Sequence, residues 1–350
     1  VARVRLTEVK KGFARGELVE LLTPSALRRA AACPIADECG GCDWTALRLD
    51  AQLAAKERIL RESLRRIGKF DPATLPPIAI HPSPLNYRIR SRLHRDGDAV
   101  GFYAMQSHEV VPLARECEVV GVRTAAVYGT PASSPAGAPR SPRRDAAAPA
   151  GDTPPLPVET WELDGRLISG GEMQIEGFHV TTDAFFQVNR HLLGTMQRLV
   201  TEIASRATKR RTAVDLYSGV GFFTRPLSAL FSEVTAVEGS PSSHNCAKRN
   251  ASPNVTLINA PVEGWIEHMP QTDFVFLDPP RAGARRNVVE RIARRTSAMI
   301  CFLACDPVTF SRDASRLIAS GWSLASLDLL DLFPNTHHVE TLASFERAHR

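Results

Sequence analysis

Residues 213–223, AVDLYSGVGFF, constrain the fold of this chain more than any other stretch. A short apolar strand runs into a turn holding two glycines, and a helical pattern follows. Glycine at such a turn lets the backbone approach a ligand closely. The alternation then continues. EVTAVEG reads as a strand and SPSSHNCAKRNAS as a helix, while NVTLINA, DFVFLDPP, AMICFLAC and LASLDLLDLF supply further strands. Short apolar strands separated by helices predict a parallel sheet covered on both faces. Residues 186–350 are therefore read as a doubly wound, Rossmann-like α/β domain. Three features fall at carboxyl ends of its strands, where open α/β sheets bind ligands: the Ser218-Gly219-Val220-Gly221 turn, Glu238, and the run Asp278-Pro279-Pro280-Arg281. A carboxylate placed like Glu238 can accept both ribose hydroxyls of an adenosine. Together the three point to S-adenosylmethionine, whose cationic sulfonium needs no phosphate cradle.

Leu303-Ala304-Cys305-Asp306-Pro307 puts a thiol at the end of another strand of this sheet, followed by turn formers that would hold the sulfur at the crevice rim. Most buried cysteines are inert small hydrophobes, and Cys301, inside the apolar run, fits that description. Near the C-terminus, FPNTHHVE (333–340) reads as a polar loop entering a strand. Its Glu340, beside two histidines, suits a general base, a metal ligand or a salt bridge, and residue types alone rank the salt bridge first.

The N-terminal half is organised differently. Residues 1–28 read as two short strands, the closing half of a small OB-like β-barrel. Cys33-x5-Cys39-x2-Cys42 then gathers three thiols. Seven cysteines in 350 residues are too sparse for a disulfide scaffold, and the tight cluster points to a reducing compartment with metal-binding or catalytic thiols. Zinc and iron–sulfur centres both accept thiolates, and spacing does not separate them. A helix is predicted over LRLDAQLAAKERILRESLRRIG, with an apolar stripe of Leu49, Leu53, Ile59, Leu60, Leu64 and Ile67 and a stop at Gly68. Residues 87–120 are strand-like, with a turn at RDGD. Residues 29–128 and 158–185 are assigned to a small β-rich central domain. Between them, 129–157 is rich in Pro, Ala, Ser and Gly, cannot bury enough surface to offset its ordering entropy, and is read as a disordered insertion.

The chain has the hydrophobic content of a globular protein, 43% against 23% charged residues. No apolar run of about 18 residues is present, so a spanning helix is not expected, and no signal-peptide pattern opens the sequence. A chain opening at Val1 is expected to have lost residues upstream. The net charge of +5, carried by 37 arginines and only six lysines, permits an anionic partner.

The segments CPIADECGGC, FFQVN, DLYSGVGFF, AVEGS, FLDPPRAG, ACDPVTFSRD and FPNTHHVE occur in one order along the chain. In this the sequence resembles the bacterial RNA uracil-5-methyltransferases, specifically the iron–sulfur group that modifies 23S ribosomal RNA. The resemblance covers everything except the insertion. It implies a SAM-dependent methyltransferase domain, a central domain carrying a [4Fe–4S] cluster and an N-terminal TRAM barrel, here partial. It places Cys305 at the family's nucleophile and Glu340 at its general base. Gln187, Tyr217, Glu238 and Asp278 stand at its S-adenosylmethionine contacts, and Cys33, Cys39, Cys42 and Cys117 at its cluster ligands. The implied reaction adds the Cys305 thiolate to uracil C6, methylates C5, and removes the C5 proton with Glu340. A depressed thiol pKa at Cys305 would help. The target uridine is expected to flip out of its stack. The implied protein is a cytoplasmic monomer acting on RNA, with no membrane partner. Competing readings are a tRNA uracil-5-methyltransferase, an N-methylating enzyme, for which Arg281 stands where an aromatic residue would be expected, and a non-catalytic iron–sulfur RNA-binding protein.

Overall fold

A computed structural model describes residues 1–129, 156–163 and 166–347. Strands β1 (Ala2–Lys10) and β2 (Phe13–Leu21) form an antiparallel hairpin that pairs with nothing else. Among the described residues there is no barrel here. The expected half-barrel is reduced to one hairpin, and Val4, Leu6, Phe13 and Leu18 are exposed on it because no second layer covers them.

Helix α1 (Leu49–Arg66) leads to the short strand β3 (Ile78–His81). A five-stranded antiparallel sheet follows, built from β4 (Arg90–Asp96), β5 (Ala99–Tyr103), β6 (Val110–Pro112), β7 (Leu156–Leu163) and β8 (Arg166–Ile168), in the order β6-β5-β4-β7-β8. Helix α2 (Val122–Tyr128) precedes β7. Of the expected insertion, residues 130–155 lie outside the described residues; its last two, Leu156 and Pro157, open β7 and pair with Arg95 and His94. A hairpin of β9 (Glu172–Ile175) and β10 (Phe178–Thr181) leads into the C-terminal half.

That half is α3 (Leu193–Ser205), β11 (Thr212–Leu216), α4 (Thr224–Leu230), β12 (Glu233–Glu238), α5 (Pro241–Asn250), β13 (Val255–Asn259), α6 (Val262–Trp265), β14 (Thr272–Leu277), α7 (Arg286–Arg295), β15 (Thr296–Ala304), α8 (Pro307–Ala319), β16 (Trp322–Leu330) and β17 (Glu340–Arg347). The sheet order is β13-β12-β11-β14-β15-β17-β16-β3. Strands β11 to β15 are mutually parallel, and β17 runs antiparallel between β15 and β16. Alternate residues feed two cores, as a pleated strand requires. Phe274, Phe276, Cys301 and Leu303 face the layer of α3, whereas Val275, Leu277, Ile300 and Phe302 face the layer of α7 and α8. Each buried Phe or Leu contributes about 1.5–3 kcal/mol.

The catalytic layer reaches outside the 186–350 boundary drawn from sequence. β3 completes the sheet by pairing parallel to β16, with Leu327 opposite Ile78, and Leu60 and Leu64 of α1 pack in the same core as Phe310 and Trp322. The buried face of α1 also differs from the apolar stripe. It runs through Gln52, Lys56, Leu60 and Leu64, while Ile67 is exposed.

Candidate active site

The turn after β11 is bent into a shape few residues tolerate. Tyr217, Gly219 and Gly221 have φ of +61°, +56° and +89°. A tyrosine at positive φ is an outlier, and such backbone is characteristic of binding loops. It is held by the Tyr217 hydroxyl donating to Glu263 (2.9 Å) and by packing of the ring among core residues. Glu238, at the end of β12, accepts from the amides of Gly219 (2.8 Å) and Ser240 (2.6 Å), tying two strand ends together. Asp215 inside β11 is fully buried and accepts from the Thr224 hydroxyl, yet its Oδ1 and the neighbouring Ser218 Oγ have no hydrogen-bond partner. A Cβ built on Gly219 would meet nothing nearer than the Phe185 carbonyl at 4.0 Å. The turn is thus open above the glycine and holds orphaned polar atoms, which fits a polar ligand lying against it.

Asp278 follows β14 and accepts from Gln187 Nε2 at 3.2 Å, so Gln187, from outside the sheet, meets the strand end. Burial pushes the Asp278 carboxyl up to about 7, against the opposing effect of that hydrogen bond. Burial likewise pushes Asp215 up to about 7, and repulsion from Asp278 and Glu238 adds to it. Three carboxyl groups therefore crowd one crevice where a cation would relieve them. This charge arrangement fits the sulfonium of S-adenosylmethionine.

Cys305 lies between β15 and α8, half-buried at the mouth of the same crevice. Asp306 caps α8, accepting from Val308 and Thr309 amides, and Pro307 occupies the first turn; this fixes the chain immediately after the sulfur. Glu340 opens β17 and is 5% exposed. Burial pushes its carboxyl well above the usual range, and Asp278 adds repulsion. The Cys305 thiol is pushed up to about 12 by burial, then by Glu340 and Asp278, against the opposing effects of Arg281 and a backbone hydrogen bond. The depressed thiol pKa that would help the reaction is not found in the free protein, because the half-buried sulfur faces two carboxyl groups and one guanidinium. No ion pair holds Glu340 among the described residues; the histidines beside it pair elsewhere. His337 bonds to Asp43, through its ring and its amide. His338 Nδ1 accepts from Arg281 at 3.2 Å, since a guanidinium only donates, and burial with the charges of His337 and Arg281 pushes this imidazole down to about 4.

Cys33, Cys39, Cys42 and Cys117 line one cavity of about 370 Å³, counting its mouth, together with Phe102, Leu113 and Glu118. All four are free thiols. Gly40 lets the loop cross β5 closely, because a Cβ there would stand 2.7 Å from the Tyr103 carbonyl. Burial pushes Cys33 up to about 11 and raises Cys39, Cys42 and Cys117, each reinforced by neighbouring thiols or by Glu118. Among the described residues no group of three or more His, Cys, Asp or Glu is arranged to hold a metal ion. The donor chemistry fits a thiolate-bound group.

A profile described as tRNA (Uracil-5-)-methyltransferase matches residues 266–348. An uncharacterized RNA methyltransferase of Thermosynechococcus vestitus is 31% identical, the match spanning 97% of this chain and 89% of that protein. One of Corynebacterium efficiens is 32% identical over 98% of this chain and 86% of that protein. The chain belongs to the RNA uracil-5-methyltransferase family. Its fold is that of the Pyrococcus abyssi tRNA (uracil-54, C5)-methyltransferase, solved with S-adenosyl-L-homocysteine, at a TM-score of 0.65 and 20% identity over 97% of this chain and 91% of that one.

Sequence patterns missed the residues that hold the loop leading into Glu340. Lys56 in α1 is fully buried, pairs with Asp331 at 2.5 Å and donates to the Phe333 carbonyl. Gln52, one turn earlier, bonds to Asn335, as do Arg29 and Glu118. An apolar-stripe search passes over Gln52 and Lys56 because they are polar. The signal that could have found them is their four-residue spacing with Leu60 and Leu64 on one face. No helix among the described residues is long and apolar enough to cross a membrane.

Proposed function

We propose that this family member methylates C5 of a uridine in RNA, most specifically 23S ribosomal RNA, through a covalent Cys305–uracil adduct. The observation that carries this reading is the meeting of a strand-end thiol and a buried carboxyl, Cys305 and Glu340, beside the Gly-turn crevice. The Cys305 sulfur, its proton lost to solvent, bonds to C6, and the electron pair of the 5,6 double bond moves toward C5 and O4. When bound, S-adenosylmethionine supplies the methyl group to C5 and brings a positive charge that favours the ionised forms of Asp278, Glu340 and Cys305. Glu340 then takes the C5 proton, the 5,6 double bond re-forms, and the C6–S bond breaks to return the thiolate. Gln187, Tyr217, Glu238 and Asp278 are assigned to the methyl donor. Arg281 and His338 lie at the mouth, where a flipped base must pass.

The four cysteines are assigned to a [4Fe–4S] cluster. Support comes from four free thiols around one cavity in a family whose iron–sulfur members the sequence resembles. Bound there, the cluster would supply a covalent cross-link among Cys33, Cys39, Cys42 and Cys117; methyl transfer needs no electron from it. The test is incubation of the protein with tritiated S-adenosylmethionine and separate 23S rRNA and tRNA transcripts, followed by mass mapping. One 5-methyluridine in the 23S transcript is the expected result; label in tRNA alone, or on a base nitrogen, overturns it.

A further inference from the structure

The loop between β16 and β17, which delivers Glu340, is held from outside its own domain. Asn335 is its anchor. It is fully buried and has a left-handed φ of +67°, a backbone state asparagine tolerates better than most residues. All its polar atoms are bonded to the N-terminal half. Its amide donates to Gln52 Oε1 (2.8 Å), and its carbonyl accepts from the Asp43 and Trp44 amides (3.2 and 2.9 Å). Its Oδ1 accepts from Arg29 and Gln52, both at 3.0 Å, and its Nδ2 donates to Glu118 at 3.2 Å. Glu118 is itself held by a two-point bond from Arg29. Asp43 follows Cys42 directly, and Glu118 follows Cys117. Asn335 is therefore bonded to the residues flanking two of the four cavity cysteines.

We propose that Asn335 is a positioning residue for Glu340: it locks the base-bearing loop to the cysteine-bearing segment, so that the cysteine cavity sets where the carboxyl stands. It touches neither Cys305 nor the crevice carboxyls by any hydrogen bond, so it acts through the five-residue path of backbone to Glu340. The cavity thereby has a part in proton removal that involves no electron transfer. This inference rests on the reading of Glu340 as the base.

The test separates adduct formation from adduct resolution, using 23S rRNA transcripts made with uridine or with 5-fluorouridine. With fluorine at C5 the methylated adduct has no proton to remove and persists whatever Glu340 does, so its yield in the presence of S-adenosylmethionine reports thiol addition and methyl transfer, the steps before proton removal. With ordinary uridine, the adduct builds up only when proton removal is slow. Asn335→Gly keeps the left-handed backbone and loses the side-chain bonds; Gln52→Ala loosens the same anchor from the other side. Both are expected to trap 5-fluorouridine RNA at the wild-type rate while resolving the uridine adduct about 10- to 100-fold more slowly, the cost of a misplacement near 1 Å. Parallel loss of both signals, or wild-type resolution in both variants, overturns the proposal. Glu340→Gln is the control: if it accumulates no uridine adduct while trapping 5-fluorouridine RNA, the reading of Glu340 fails and this inference with it. If it accumulates adduct and the anchor variants do not, the inference alone fails.

Discussion

Cys305 and Glu340 leave adjacent antiparallel strands at the same level. Ala304 and Thr341 form the end pair between β15 and β17; Cys305 directly follows Ala304, and Glu340, the first residue of β17, directly precedes Thr341 and pairs with Leu330 of β16. Both strands are buried along nearly their whole length, so the two side chains are held by the rigid part of the sheet, Glu340 within β17 and Cys305 one residue past β15. The proposed nucleophile and base, acting on one pyrimidine ring, would need this kind of fixed separation.

Removing the sulfur separates this arrangement from mere packing. Cys305→Ala is expected to abolish methyl transfer and trapping of 5-fluorouridine RNA, with little change in melting temperature because the site is half-buried. Cys301→Ala, in the fully buried interior of β15, should do the opposite, keeping activity and losing on the order of 1 kcal/mol of stability. Paired activity and thermal-melt measurements check both.

Glu340→Gln keeps the volume and loses the proposed base. Turnover is expected to fall about 10²- to 10⁴-fold, with a covalent protein–RNA band on a denaturing gel that wild type does not show.

Asp215 has a carboxyl raised from 3.8 to about 7 in the folded protein. Between these values the folded state binds more protons than the unfolded one, so stability falls as pH rises from about 4 to about 7. The gap sets an upper bound of about 4 kcal/mol for this group. Asp278, also raised to about 7, acts in the same direction. Chemical denaturation of ligand-free protein should therefore show greater stability at pH 5 than at pH 7. Asp215→Asn should flatten that slope.

The Lys56–Asp331 pair is buried on both sides, and burial pushes the lysine down and the carboxyl up. Lys56→Met leaves an unpaired buried carboxyl and is expected to cost about 3–5 kcal/mol. The double variant Lys56→Met, Asp331→Leu should recover most of that loss, which urea denaturation of the three proteins would show.

Anaerobically purified protein is expected to be brown, with iron and sulfide near four each per chain, as a [4Fe–4S] centre requires. Cys117→Ser should lower the iron content and shift the absorption spectrum. A colourless preparation containing zinc would overturn the cluster assignment.

The parts of this protein legible in sequence are those governed by local pattern. Apolar strands ending in Gly219, Glu238, Asp278 and Cys305 marked the sheet and its crevice, because a parallel strand and its turn are nearly contiguous in sequence. What escaped was long-range and polar. The pairing of β3 with β16 joins residues 78 and 327, and Ile78–His81 is too short to declare which sheet it enters. Asn335 looks like an ordinary turn residue until its partners from positions 29 to 118 are assembled around it. The raised pKa of Cys305 also escaped, since burial of the sulfur and the carboxyl groups of Glu340 and Asp278 beside it come from the fold and not from neighbouring sequence.

Because Ile78–His81 covers the outer flank of β16, this enzyme cannot be dissected where its sequence seems to divide. A fragment beginning at residue 186 would bare the outer amides and carbonyls of Leu327–Leu330, extending the unpaired flank along all of β16, and would also lose the helix carrying Leu60 and Leu64. Such a fragment should self-associate through that flank, whereas one beginning near residue 24, without only the hairpin, should remain dispersed.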